Sequence, residues 1–256
     1  MINNPPTVLG IIPARYGSSR LNGKPLADIA GKPMIQHVYE RASEQLNHVL
    51  VATDDIRIAN CVKAFGGDVE MTSQKHKTGT NRCLEAYKKW NEKLKITPSI
   101  IINIQGDEPL LSKDHLTKII SCFEDTSTTI ASLGLALSST DVLEPGNVYL
   151  VKDKLDRALY FSRNPIPFLR DVPKEKWTQH HNYYQHIGIY GFTVKALEEF
   201  CALSESDLEE KEKLEQLRWL ENGQEIKIAI TNQISQPVDT AKDLNKVREL
   251  FKSKEK

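Results

Sequence analysis

An apolar run from Val8 to Ile12, stopped by Pro13 and followed at once by small and basic residues, constrains this chain more than any other feature. The run is short enough for a strand buried on both faces. Pro13 ends it, because proline cannot donate to a sheet ladder. The continuation to Leu26, ARYGSSRLNGKPL, sets Arg15, Arg20 and Lys24 among Gly17, Ser18, Ser19, Asn22 and Gly23. Such a loop suits a polyphosphate: arginine forks pair with phosphate oxygens, lysine adds a point charge, and backbone N–H groups cradle the anion. It is not a P-loop, since five residues separate Gly17 from Gly23 and Pro25 stands where Ser or Thr would hold magnesium. The plainer reading is a surface loop with scattered charges.

The following pattern gives that strand its neighbours. Pro33 fits the first turn of a helix over KPMIQHVYERA, with Met34, Ile35, Val38 and Ala42 on its apolar face. Val49 to Val51 reads as a second buried strand, and Asp54 or Asp55 is placed to cap a helix bearing Ile58, Ala59, Val62 and Phe65. Gly66 and Gly67 end that helix, and DVEM returns as a third strand. The order βαβαβ implies a parallel sheet with helices on its faces. A second small-and-basic loop, KHKTGTNR, precedes a helix carrying Leu84, Tyr87 and Trp90. The run Ile100 to Ile104 then makes a central strand that breaks at Gly106 and delivers Asp107 and Glu108 past its carboxyl end, where open α/β sheets bind ligands. Asp107 there suits a metal ion; the alternative is capping of a helix over Lys113 to Phe123.

Beyond a strand over Ile130 to Leu137 and a turn at LEPGN, the pattern becomes irregular. Short strands are expected at Val148 to Val151, Ala158 to Phe161 and His186 to Phe192, with a long flexible loop from Arg170 to Tyr184. ESDLEEKEKLEQLRWLENG reads as one amphipathic helix with Leu208, Leu214, Leu217 and Leu220 inward. KIAI is a late strand, Thr240 with Asp243 forms a capping box for a helix through Leu250, and KSKEK is a frayed tail.

Thirty-four basic against thirty-four acidic residues argue against a nucleic-acid binder. No apolar run is long enough to span a membrane, and MINNPPTV, with neither a basic region nor a long apolar segment, does not read as a signal peptide. Cys61, Cys83, Cys122 and Cys201 form no CxxC pair and read as reduced, mostly buried thiols of a cytoplasmic protein. His180 and His181 are read as a solvated pair rather than metal ligands with His186.

IIPARYGSSRLNGKPL, VATDD, TGTNR, IINIQGDEP, ALYFSRNPIP, HIGIYGF, LEQLR and PVDT together resemble the 3-deoxy-manno-octulosonate (Kdo) cytidylyltransferase family, in order from Ile11 to Thr240. IPAR with RLxGKP is shared among sugar nucleotidyltransferases; YFSRNPIP, HIGIY and LEQLR are more selective. The chain departs from the family's pattern at Asn22, where proline is usual, and at Tyr149, where lysine is usual.

The resemblance implies a Rossmann-like nucleotidyltransferase three-layer sandwich, α/β, with a mainly parallel central sheet and a smaller β-containing subregion for sugar binding and dimerisation. It implies one domain over 1–256: 7–140 mainly nucleotide-binding, 141–230 mainly for the sugar acid and dimerisation, and 231–256 a closing segment. The implied reaction transfers CMP from CTP to the anomeric hydroxyl of Kdo, releasing pyrophosphate. Arg15 and Lys24, with Arg20 a weaker candidate, would hold the triphosphate; Asp107 and Asp239 would hold Mg2+. Pro13, Ala14, Thr53, Asp54, Thr78, Gly79, Arg82 and Gln105 would complete the nucleotide site. Gln105, Arg163, His186, Tyr190, Glu215 and Gln216 would form the sugar-acid site, where arginine can grip a carboxylate with two bonds.

Each sugar-site residue also has an ordinary role: ion pair for Arg163, core hydrogen bond for His186, solvated helix face for Glu215. Asp239 before Thr240 is ordinary helix-start chemistry, and only the resemblance makes it a ligand. Rival readings are a sialic acid or methylerythritol phosphate cytidylyltransferase, an enzyme for the 8-amino analogue of Kdo, or a non-catalytic nucleotide-sugar sensor. The sensor would be expected to lose Asp107, Lys24 or Asp239, and all three are present. Exposed-looking aromatics at Tyr149, Phe168, Trp177 and Tyr184, with the family's habit, predict a homodimer.

Overall fold

The computed structural model describes residues 6–17, 21–138, 143–144 and 147–254. The fold is α/β with a mostly parallel central sheet, and the chain divides into two compact units, 1–116 with 235–256, and 117–234.

In the first unit Val8–Ala14 forms β1, with Leu9, Ile11 and Ile12 wholly buried. Asp28–Ile29 and Lys32–Pro33 pair as a small hairpin, β2 and β3. Helix α1 runs Met34–Ser43, so Pro33 stands just before it in extended conformation rather than in its first turn. Strand β4 (His48–Thr53) leads to α2 (Ile56–Ala64), β5 (Val69–Met71), α3 (Gly79–Leu94) and β6 (Ile100–Asn103). β1 pairs in parallel with β4, Ile11 opposite Leu50, and on its other side with β6, Gly10 opposite Ile102. β4 pairs in parallel with β5. The order β6-β1-β4-β5 therefore reverses direction at β1, and the loops leaving β1 and β6 diverge to leave a crevice at their carboxyl ends. Helix α4, Lys113–Ser121, begins in this unit, and its later residues and the 3-10 turn over Cys122–Glu124 belong to the second.

In the second unit β7 is Ile130–Leu137, β8 is Tyr149–Lys152 and β9 is Ala158–Ser162. The flexible loop expected from Arg170 to Tyr184 is instead structured. It holds a 3-10 turn at Lys174–Lys176, α5 at Trp177–His180, and the start of β10, which runs Tyr183–Phe192. Sparse apolar residues hid this, because beside the partly buried Val172 it is anchored by Trp177 and Tyr183. They stack with centroids 5.9 Å apart, beside Tyr149 and Leu143. Tyr149 is wholly buried and Trp177 is 7% exposed, so neither is the surface aromatic expected; Phe168, at 75%, is. Pro145 and Gly146 of the LEPGN turn lie outside the described residues.

β10 is antiparallel to β7 and to β8, and β8 is antiparallel to β9. A bulge between Ile187 and Tyr190 sets His186 opposite Gly134 and Tyr190 opposite Ser132. Extra residues on the bulged strand are accommodated without moving these two to opposite faces. Helix α6 is Val194–Ala202, capped by Thr193.

The single helix expected next is two short ones, α7 (Asp207–Glu212) and α8 (Leu217–Glu221). Lys213 breaks them apart with φ of 54°, left-handed backbone that no helix continues through. The buried Arg218 fork grips Glu209 at 2.7 and 2.6 Å and ties the two together. Strand β11 (Lys227–Thr231) lies parallel to β7.

Helix α9 (Ala241–Lys254) returns to the first unit. Asp243 accepts from the Thr240 amide at 2.9 Å while its own amide donates to the Thr240 hydroxyl at 3.2 Å, as the capping box predicts. The helix outruns the expected end at Leu250, and Phe251 beyond that end packs against the cluster of Ile29, Met34, Val238, Leu244 and Val247.

Candidate functional site

At the carboxyl ends of β1 and β6 lies a cavity of about 290 Å³. Pro13, Ala14 and Arg15 reach it from β1, and Gln105, Gly106 and Asp107 from β6. Lys24 and Pro25 come from the small-and-basic loop, and Thr78, Gly79 and Arg82 from the start of α3. Thr78 caps that helix by accepting from the Asn81 amide at 3.2 Å. The positive end of the α3 dipole and its first amides are thus directed to one wall of an anion-sized space. Only glycine is tolerated at position 106, where a Cβ would stand 2.8 Å from the carbonyl oxygen of Pro13.

Asp239 joins this wall through a contact that no local pattern reveals. The amide of Val238 donates to the carbonyl of Asp107 at 2.9 Å, which sets the two aspartates side by side. Their carboxylates converge on one ammonium: Lys24 Nζ donates to Asp107 Oδ2 at 2.6 Å and to Asp239 Oδ1 at 3.3 Å. Glu108, the other acid of the pair after β6, turns inward and accepts from the Ser235 hydroxyl. Burial pushes its carboxyl up, the neighbouring Asp107 charge adds to this, and the Ser235 bond opposes it, leaving a pKa of about 7.

Two of the nucleotide-site candidates stand behind the wall. Thr53 is buried and its hydroxyl accepts from the Asp55 amide, while Asp54 Oδ2 accepts from Arg82 Nη2 at 3.1 Å. Arg82 also donates to Thr72 Oγ1 at 2.6 Å, so its guanidinium is held rigidly where it lines the cavity. Arg20 lies outside the described residues. The sequence reading did not single out His76 and Lys77, which also line the cavity; the basic KHK run before Thr78 was the signal. His76 is fixed by Glu85. Burial alone would raise Glu85, but Lys89, the Ser73 amide and His76 together hold it down at about 2.

The sugar-acid candidates, apart from Gln105, belong to the second unit. Tyr190, Glu215 and Gln216 line a narrow cleft with no room for a water molecule, together with Ile130, Phe192, Phe200 and Ile226. The Tyr190 hydroxyl and Gln216 Nε2 are buried there without hydrogen-bond partners. His186 lies tilted against Tyr190, centroids 5.4 Å apart, and edge-on to Phe161, at 5.0 Å. Its Nε2 lies 2.9 Å from Ser132 Oγ, which is also 3.0 Å from the Ile189 carbonyl. With the hydroxyl proton on that carbonyl, Nε2–H donates to Ser132. Burial among these groups drives the pKa of His186 down to about 3. Arg163, just beyond β9, is placed otherwise: Nε donates to the carbonyl of Glu212 at 2.7 Å and Nη2 to that of Lys213 at 3.2 Å.

A cation-lined cavity at the switch point of a parallel sheet, with two carboxylates beside Lys24, suits the phosphates of a nucleotide, and the relatives make the chain a nucleotidyltransferase. The family described as cytidylyltransferase matches residues 9–226. A 3-deoxy-manno-octulosonate cytidylyltransferase of Parabacteroides distasonis is 49% identical over 243 residues, 93% of this chain and 95% of that protein. An 8-amino-3,8-dideoxy-manno-octulosonate cytidylyltransferase of Shewanella baltica is 47% identical over 241 residues, 92% of this chain and 95% of that protein. A solved structure of CMP:2-keto-3-deoxy-manno-octonic acid synthetase complexed with CTP has a TM-score of 0.87 and 41% identity, covering 96% of this chain and 99% of its own. The chain belongs to the 3-deoxy-manno-octulosonate cytidylyltransferases within the cytidylyltransferase family.

Proposed function

We propose that the chain transfers CMP from CTP to the anomeric hydroxyl of Kdo, releasing pyrophosphate and giving CMP-Kdo for lipopolysaccharide synthesis. The observation that carries this reading is the convergence of Asp107 and Asp239 on Lys24 at the wall of a cation-lined cavity. The hydroxyl oxygen of the sugar forms a bond to the α-phosphorus, its proton is lost to solvent, and the bond to the β-phosphate oxygen breaks. Such a reaction calls for positioning and charge neutralisation rather than a protein nucleophile. Arg15, Lys24 and the α3 amino terminus would hold the triphosphate, and the rigid Arg82 would add a fixed positive charge.

Two carboxylates with phosphate oxygens are a donor set that suits magnesium. Asp107 and Asp239 fit it, since their present convergence on an ammonium marks a place where a cation is stabilised. Among the described residues no group of three or more acids, histidines or cysteines could hold a metal, so the nucleotide would supply the remaining oxygens. When bound, magnesium would neutralise phosphate charge and acidify the attacking hydroxyl.

Tyr190, Glu215, Gln216 and His186 would bind the sugar acid, the first and third with the polar atoms that lack partners. A second reading, the 8-amino sugar, is supported by the similar identity to the Shewanella relative. Among the described residues no helix is long and apolar enough to cross a membrane. We place the enzyme in the cytoplasm, a compartment that suits its four free thiols. We also infer a homodimer, supported by Phe168, Leu155 and Leu159, all more than 60% exposed on the second unit.

Pyrophosphate release, measured with magnesium, each of four nucleoside triphosphates, Kdo and its 8-amino analogue, tests the reading. CTP with Kdo should be the most rapid pair. Preference for the 8-amino sugar would favour the second reading, and no release with either sugar would overturn both. Light scattering at micromolar concentration should give about twice the chain mass of 29.0 kDa.

A further inference from the structure

Lys24 is held from behind by a stack of side chains that do not touch the cavity. Gly23 has φ of 68°, and its N–H donates to the Tyr16 carbonyl at 3.0 Å. A Cβ on Gly23 would stand 3.1 Å from Cζ of Tyr16 and 3.2 Å from its hydroxyl. The phenol ring therefore lies directly against the backbone that precedes Lys24. The Arg57 guanidinium carbon lies 3.3 Å from the centroid of the same ring. Arg57 is aimed by Asp55: Nε donates to Oδ1 at 2.9 Å and Nη2 to Oδ2 at 2.6 Å. Asp55 is in turn fixed as the cap of α2, accepting from the Arg57 amide at 2.9 Å. Neither Tyr16 nor Arg57 lines the cavity.

We propose that Asp55, Arg57 and Tyr16 are positioning residues that fix the Gly23–Lys24 backbone and so aim Lys24 at the phosphates. This rests on the reading of Lys24 as a phosphate-holding residue. A guanidinium over a tyrosine face is attractive and directional. A planar stack pinned at one end by a bidentate carboxylate has little freedom to slide. The ring then blocks the movement that a left-handed glycine would otherwise permit. An exposed Asp55–Arg57 pair that serves only as a helix cap would not need the ring.

The test is steady-state kinetics of Tyr16→Leu, Tyr16→Phe, Arg57→Leu, Arg57→Lys and Lys24→Ala, with melting temperatures. Misplacement of a charge that matters most as pyrophosphate departs lowers kcat more than it raises KM. Tyr16→Leu and Arg57→Leu should each lower kcat roughly ten- to a hundred-fold, with KM for CTP within about threefold. Tyr16→Phe keeps the ring and should stay near wild type. Arg57→Lys keeps the charge without the planar stack and should resemble Arg57→Leu. In a Lys24→Ala background, Tyr16→Leu should add nothing to the loss of kcat.

A normal kcat for Tyr16→Leu beside an impaired Lys24→Ala overturns the positioning role alone. So does an active Arg57→Lys, which would show that the planar stack on Tyr16 is not needed, or an added loss in the Lys24→Ala background. A silent Lys24→Ala would instead remove the functional reading itself. Should Tyr16→Leu fail to fold, Arg57→Leu carries the test, since that side chain is 56% exposed.

Discussion

Arg163 and Glu212 hold each other twice: the Arg163 amide donates to Glu212 Oε2 at 3.0 Å, and Arg163 Nε donates to the Glu212 carbonyl at 2.7 Å. With Nη2 on the Lys213 carbonyl, the guanidinium is joined to the segment where α7 ends in left-handed backbone. A sugar carboxylate reaching this arginine would exchange two neutral carbonyl acceptors for a charged one, which is the stronger partner.

Arg163→Lys keeps the charge but loses the fork, both for the carbonyls and for a carboxylate. Sugar kcat/KM should fall by about 1–3 kcal/mol, roughly ten- to a hundred-fold, with titrated CTP affinity unchanged. Equal loss for CTP and sugar would show that Arg163 serves the fold or the phosphates instead.

Asp107→Asn preserves shape and withdraws one of the two charges around Lys24. The variant should melt close to wild type and lose about 10²–10³-fold in turnover. Magnesium alone should barely move the melting temperature of wild type, because the Lys24 ammonium already stands between the two carboxylates, at 2.6 and 3.3 Å. Magnesium with CTP should raise it, and chelation should stop turnover. Wild-type turnover by Asp107→Asn, or full activity in excess chelator, would remove the metal from this pair.

His186 makes stability pH-dependent with a definite sign. Part of the residue is accessible, but the ring lies between Phe161 and Tyr190, and burial depresses its pKa from 6.5 to about 3. The unfolded chain takes up a proton below about pH 6.5 that the folded chain refuses until near pH 3. The contribution to stability is therefore fully present above pH 6.5 and is lost as pH falls toward 3, by at most about 1.4 kcal/mol per pH unit. Urea unfolding of wild type and His186→Gln between pH 4 and 8 measures it. The variant should show a shallower decline below pH 6.5; parallel curves would mean that His186 is not the group responsible.

Much of the first unit was legible because buried parallel strands read as unbroken apolar runs. Val8 to Ile12 and Ile100 to Ile104 needed no tertiary information, and the loops at their ends followed. Asp239 was not legible from local chemistry, since its place depends on the Val238 amide finding the Asp107 carbonyl. The second unit was harder for a different reason. Its folding information sits in single residues: Trp177 against Tyr183, the left-handed Lys213, and a bulge between Ile187 and Tyr190. None of these leaves a periodic trace. The continuous amphipathic pattern of Leu208 to Leu220 even pointed to one helix, because periodicity does not register a single residue with positive φ.

Tyr190 carries a prediction that separates function from stability. Its hydroxyl is buried, has no hydrogen-bond partner, and faces a pocket too narrow for water. Burial raises its pKa well above 10, and the Glu215 charge adds to this, so the group is a neutral phenol. A buried hydroxyl without a partner costs about 1–3 kcal/mol, a penalty that a purely structural residue has no reason to retain. Tyr190→Phe removes the hydroxyl and keeps the ring between His186 and Phe192. The variant should therefore melt at or above wild type, while KM for the sugar acid rises roughly tenfold and CTP affinity stays the same. Loss of stability would show that the hydroxyl is satisfied within the fold. Unchanged sugar kinetics would show that this pocket does not read the sugar, and the sugar-acid site would have to be sought elsewhere in the second unit.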